Sequence, residues 1–168
     1  MRKKIIEFCE EIKVDFSLFL YHKNIAYPYC CKHSADLISS FLQMVYGENF
    51  QYICTTGKGF NHAWTSYYDK NDKFIIDFTD FQHTNSVISK KLMNNECSDK
   101  ELVEFIKNQE VVFDPEDTYM YACYNILPPK TQNCYGLINN CKMELNKKCF
   151  MEYLELKFDD VNNNTNYY

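Results

Sequence analysis

Hydrophobic positions recur at helical spacing in two stretches near the start of the chain. In residues 3–21 they alternate with charged residues, a pattern typical of an amphipathic helix. Residues 31–46 show a second apolar stripe, and Gly47 after them favours a helix end. Pro28, between the two stretches, disfavours helical structure in the residue before it. The second helix is therefore expected to begin after this proline.

β-Strand patterns follow the two predicted helices. Residues 50–56, 60–68 and 73–78 are β-rich segments separated by turn signals. The second and third segments are expected to pair as an antiparallel hairpin about the turn at residues 69–72. The sequence therefore predicts an α+β fold, in which helices pack on an antiparallel β-sheet.

The second half of the chain carries weaker signals. Ser98 and Glu101 form a capping-box pattern, which predicts the start of a short helix. A turn is predicted at residues 114–117, and residues 119–126 and 150–158 are each expected to form a strand that extends the sheet.

The domain organisation follows from length and composition. The chain has 168 residues, of which 46% are hydrophobic, and this is enough to build one buried core. Because no repeat or linker divides the sequence, residues 1–158 are interpreted as a single domain. The Asn-rich residues 159–168 are expected to be a flexible tail.

Charge and hydropathy argue against two classes of partner. The net charge is −5, Arg2 is the only arginine and no basic face is evident, so nucleic-acid binding is not expected. No apolar segment is long enough to span a bilayer, so no membrane association is expected either. Charged residues such as Glu7 and Glu10 interrupt the N-terminal apolar run, so no signal peptide is predicted.

The cysteines indicate free thiols. There are nine, an odd number in a chain large enough to fold without disulfides, which predicts a protein of the reducing cytoplasm. The four cysteines between residues 123 and 149 are spaced too widely for a zinc-binding Cys-x2-Cys motif. Neither a metal nor an organic cofactor is expected, and the sequence does not indicate an oligomeric state.

One cysteine has the setting of a nucleophile. Cys31 begins the second predicted helix, whose N-terminus carries a partial positive charge that stabilises a thiolate. His62 and Asp77 fall on opposite arms of the predicted hairpin, where a carboxylate can orient an imidazole. A cysteine or histidine taken singly is more often a packing residue. The order of all three favours a Cys-His-Asp site.

These residues resemble the transglutaminase-like branch of the papain-fold cysteine enzymes. A small residue, Ala35, lies four positions after Cys31 on the predicted helix. A His-Ala-Trp motif follows at residues 62–64, and Asp77 comes 15 residues after the histidine. The resemblance covers residues 28–82, about half the chain. It implies a papain-like core in which the nucleophile helix packs on the antiparallel sheet.

The resemblance also implies roles for these residues. Cys31 would be the nucleophile, His62 its general base and then the acid for the leaving group, and Asp77 the residue that orients the imidazole. The backbone N–H of Cys31 would contribute to the oxyanion hole. A second oxyanion donor is left open, with Asn24 as one candidate.

Three further residues bear on the same site. Cys30 is an alternative nucleophile or a cleft residue, although the spacing to Ala35 favours its neighbour. Trp64 is interpreted as a core residue that also shields the site from water. Asp80 competes for the orienting role but should lie beyond the strand end.

The expected function is cysteine-dependent acyl transfer on a peptide or protein amide through a thioester. Water as the second nucleophile would make the protein a peptidase or amidase, which is the preferred alternative. An amine would make it a transglutaminase, and deamidation or acetyl transfer are further options within the resemblance. A catalytically inactive peptide-binding module is the alternative from another class.

Overall fold

Helices and a β-sheet form an α+β architecture in this computed structural model. It describes residues 1–22, 31–57, 60–83, 87–114, 152–157 and 159. The elements, in chain order, are α1 (Arg2–His22), α2 (Cys31–Tyr46), β1 (Phe50–Gly57), β2 (Phe60–Tyr68), β3 (Lys73–Ile76), a 3-10 helix (Asp80–His83), α3 (Val87–Met93) and α4 (Asp99–Lys107). Among the described helices, none combines the length and the apolar character needed to cross a bilayer.

The sheet has three described strands in the order β1-β2-β3, and both pairings are antiparallel. The predicted hairpin of β2 and β3 is therefore confirmed. The third strand is shorter than expected, because its ladder ends at Ile76 rather than continuing to residue 78. Asp77 pairs instead with Val112, and each backbone N–H donates to the other's carbonyl at 3.0 Å. A segment that is distant in sequence therefore pairs with the chain just after β3 ends.

The main core lies between the helices and one face of the sheet. The rings of Phe8 from α1 and Phe41 from α2 stack with their centroids 5.3 Å apart. Phe50 of β1 belongs to the same buried cluster, and its ring contacts the ring of Tyr67 on β2. Gly47 ends α2 as predicted, with a φ of +91° that a residue without a Cβ adopts at little cost.

The prediction of a strand at residues 150–158 is wrong, because residues 152–157 are helical. Their sequence is rich in Glu, Leu and Lys, which are good helix formers. The side chains of this helical segment also contact α1. Tyr153 donates a hydrogen bond to Asp15, and Lys157, one turn later, forms an ion pair with Glu11. The predicted strand at residues 119–126 lies outside the described residues.

The capping box at the start of α4 is confirmed. The Ser98 hydroxyl accepts a hydrogen bond from the Glu101 backbone N–H at 3.3 Å, and the Glu101 carboxylate accepts one from the Ser98 backbone N–H at 3.0 Å. The same carboxylate forms an ion pair with Lys91 of α3. The cap therefore also connects two helices.

We expect Ser98→Ala to lower the free energy of unfolding by about 1 kcal/mol, because it removes the acceptor for the helix N-terminus. Ser98→Asn is the matched control, since asparagine caps about as well as serine. Urea unfolding followed by circular dichroism measures both. Equal losses in the two variants would contradict a capping role for the hydroxyl.

Candidate active site

Helix α2 places the thiol of Cys31 at its first turn. Cys31 is the first residue of the helix, and its backbone N–H belongs to the group that has no acceptor within the helix itself. The side chain is 7% exposed and packs with Ala35 and Ala63. The thiol is therefore held on a packed element close to the positive end of the helix dipole.

Strand β2 contacts α2 through alternate residues. The Thr65 hydroxyl donates a hydrogen bond of 3.1 Å to the carbonyl of Ala35, and Ala63 packs against Cys31. Both small residues, Ala35 and Ala63, allow the helix to approach the strand closely. The alternating residues of the strand, His62 and Trp64, are also buried. The strand thus brings an imidazole next to the start of the helix.

His62 and Asp77 form a fully buried pair. Nε2 of His62 lies 2.5 Å from Oδ2 of Asp77, and neither side chain is more than 1% exposed. The register of β2 and β3 would set Trp64 opposite Asp77 if the ladder continued, so His62 is its diagonal neighbour on the same face. Because a carboxylate only accepts hydrogen bonds, Nε2 carries the proton and donates it.

Thr79 holds the other oxygen of the Asp77 carboxylate. Its backbone N–H and its hydroxyl both donate to Oδ1, at 2.7 and 3.0 Å. Asp77 is therefore bonded on both oxygens and cannot rotate freely. An imidazole that is bonded to a fixed carboxylate keeps one orientation, as a general base requires.

The Cys31 thiol completes the group. It is hydrogen-bonded to the His62 side chain and to the backbone N–H of Ala63. Burial raises the pKa of the thiol, but the hydrogen bonds and the charge of His62 outweigh it, so the pKa is lowered from its ordinary value. Burial lowers the pKa of His62, but Asp77 and Cys31 together raise it to about 10. These shifts favour a thiolate beside an imidazolium.

Two further thiols, Cys9 and Cys97, have the opposite tendency. Burial, aided by a neighbouring carboxylate, raises the pKa of both Cys9 and Cys97. All three cysteines are free and buried, so burial alone does not distinguish them. The basic partner, His62, is what sets Cys31 apart.

Gln82 is a member of the site that the sequence analysis missed. It lies on the 3-10 helix after Asp77, is buried, and places Nε2 at 2.5 Å from Nδ1 of His62. Its side chain is also hydrogen-bonded to the Cys31 thiol. The candidate donor suggested by the sequence, Asn24, lies on the other side of Cys31 in the chain. In the sequence, the only feature that points to Gln82 is its position between two ring-bearing residues, five residues after Asp77.

The remaining predicted residues are placed as follows. Trp64 is buried, its indole N–H donates to the Ser66 hydroxyl at 3.0 Å, and its ring centroid is 5.9 Å from that of His62. Asn24 and Cys30 lie outside the described residues. Within the described ranges, no cluster of three or more His, Cys, Asp or Glu side chains has the arrangement of a metal site.

The chain matches no protein-family model, no curated protein and no solved structure. The roles assigned to Cys31, His62 and Asp77 therefore depend on the geometry of the site itself.

The charge of Asp77 is expected to control the reactivity of Cys31. Asp77→Asn keeps the shape but removes the charge that raises the pKa of His62. The thiolate then loses its cationic partner, and the pKa of Cys31 rises. Because each unit of pKa changes the thiolate fraction about tenfold, we expect iodoacetamide labelling of Cys31 at pH 7 to slow by at least about tenfold.

Asp80→Asn is the matched control, since it removes a carboxylate three residues away. Labelling of Cys31 is followed by mass spectrometry of its peptide. A similar slowing in both variants would show that the general negative charge, and not the bond to His62, matters.

Proposed function

We propose that this protein is a cysteine-dependent acyl-transfer enzyme with a transglutaminase-like, papain-type core, acting as a peptidase or amidase. The observation that carries the proposal is the imidazole of His62, which is hydrogen-bonded to Asp77 on one side and to Cys31 on the other. A nucleophile, a base and an orienting group in contact are what covalent catalysis by a thiol requires.

In the first step, the thiolate of Cys31 attacks the carbonyl carbon of a substrate amide. The proton of the thiol already lies on Nδ1 of His62 in the ion pair, since Asp77 holds the Nε2 side of the ring. The electron pair of the carbonyl moves to its oxygen, which the backbone N–H of Cys31 stabilises at the start of α2. Asp77 stabilises the imidazolium that forms.

In the second step, the imidazolium of His62 donates its proton to the leaving nitrogen. The C–N bond breaks and an acyl-thioester on Cys31 remains. Water, deprotonated by the same imidazole, then attacks the thioester and releases the acid. The burial of Cys31 and His62 keeps bulk water away from the ion pair.

The test is a comparison of products from a complex peptide mixture. We expect the wild-type protein to generate new peptide termini, identified by mass spectrometry, and to form an acyl adduct on Cys31. Cys31→Ser should abolish both, because a serine hydroxyl is too weak an acid for the same base. Cys97→Ser, which alters a buried cysteine with a raised pKa, should retain them.

Three outcomes would revise the proposal. Conversion of glutamine side chains to glutamate, or incorporation of an added amine, would identify a deamidase or a transglutaminase. Loss of activity in Cys30→Ser but not in Cys31→Ser would assign the nucleophile to the preceding residue. Absence of any Cys31-dependent product would favour a binding module that retains the fold.

The activity should depend on pH with two limits. Cys31 must lose its proton, so activity is expected to rise as pH increases through a thiol pKa below the ordinary 9.0. His62 must hold a proton for the leaving group, so activity should fall as pH rises through about 10. Initial rates of product formation between pH 5 and pH 11 measure both limbs. If the rise in activity had its midpoint at or above pH 9.0, the ordinary pKa of a thiol, this result would contradict the ion pair.

A further inference from the structure

The side chain of Gln82 touches both reacting residues of the candidate site. Its Nε2 lies 2.5 Å from Nδ1 of His62, and the same side chain is hydrogen-bonded to the Cys31 thiol. It is 3% exposed and is carried by the short 3-10 helix that follows Asp77. Cysteine, histidine and aspartate already account for the proton transfers, so this amide has no role in them.

The amide N–H is aimed at a centre that becomes negative. In the resting pair, the negative charge lies on the sulfur of Cys31, where Gln82 and the backbone N–H of Ala63 both form hydrogen bonds. When the sulfur attacks a carbonyl, that charge moves to the carbonyl oxygen, which is one bond beyond the attacked carbon. The amide N–H of Gln82 lies within hydrogen-bond reach of the sulfur, so it is also close to this oxygen.

The chemistry of a carboxamide suits this task. It supplies two N–H donors without a formal charge, so it stabilises an oxyanion without competing with His62 for Asp77. Its burial excludes water, which makes each donor worth more than in solution. In the ion pair Nδ1 of His62 is protonated and accepts no hydrogen bond, so the amide N–H is held by the sulfur of Cys31 before a substrate arrives.

We propose that the carboxamide N–H of Gln82 is the second donor of the oxyanion hole, acting beside the backbone N–H of Cys31. This inference rests on the proposed acyl-transfer function. It makes Gln82 a catalytic residue that contacts the carbonyl oxygen of the substrate while the tetrahedral intermediate exists.

Two small reagents separate an oxyanion role from an effect on the thiolate. Iodoacetamide alkylates the sulfur by displacing iodide, and no carbonyl oxygen becomes charged. With p-nitrophenyl acetate, the sulfur attacks the acetyl carbon, and the carbonyl electron pair moves to oxygen. This intermediate collapses with loss of p-nitrophenolate, leaving an acetyl-thioester on Cys31. Only the second reaction needs an oxyanion donor.

Gln82→Met is the principal variant, because methionine has a similar length and no donor. Rate constants for both reagents are measured across pH and extrapolated to the fully deprotonated thiol, which removes any change in the pKa of Cys31. We expect the limiting acetylation rate to fall by about 100- to 1000-fold, the usual loss for one oxyanion donor. The limiting alkylation rate should stay within about twofold.

Gln109→Met, which changes a glutamine outside the site, is the control and should leave both rates unchanged. Gln82→Glu, which also lacks the N–H at neutral pH, serves if the methionine variant does not fold by circular dichroism. Equal losses in both reactions, or no loss in either, would overturn the role of Gln82. A wild-type Cys31 that reacts slowly with both reagents would instead overturn the proposed function.

Discussion

The buried hydrogen bond between His62 and Asp77 governs how the chain around it is arranged. A carboxylate without water is costly unless other groups donate to it, and here Thr79 does so twice. Thr79 can reach Asp77 only if the chain turns immediately after it. This explains why β3 ends at Ile76 and why a 3-10 helix, rather than more strand, follows. The same turn returns Gln82 to the other side of the imidazole.

The contact of α2 with β2 supplies the second constraint. Cys31 reaches His62 only because the facing residues, Ala35 and Ala63, are small and because Thr65 ties the helix backbone to the strand. Farther along α2, stacking of Phe41 on Phe8 fixes the helix against α1. Cys31 is therefore positioned by the main core, whereas His62 is oriented by the turn after β3. The proposed catalysis requires both supports to be rigid.

The sequence predicted those features that depend on nearby residues. The helix containing Cys31, the hairpin and the capping box at Ser98 all follow from local periodicity or from fixed spacing. The pairing of Asp77 with Val112 is not predicted, because Val112 is far along the chain. The strand prediction at residues 150–158 is wrong even though Glu, Leu and Lys favour a helix locally, and the contacts with α1 that accompany the helix are remote in sequence. Gln82 was missed because a single amide has no periodicity, and only the fold shows that it faces the thiol.

Comparison of the described thiols shows why position in the sequence is a poor guide to reactivity. Cys9 and Cys97 are as buried as Cys31, and burial raises the pKa of each. Burial also raises the pKa of Cys31, yet this pKa is lowered overall, because His62, Gln82 and a backbone N–H surround the sulfur. Those donors come from β2 and from the turn after β3, and not from the helix that carries the cysteine. The helix N-terminus that first singled out Cys31 is thus a supporting influence, and the tertiary contacts decide which thiol ionises.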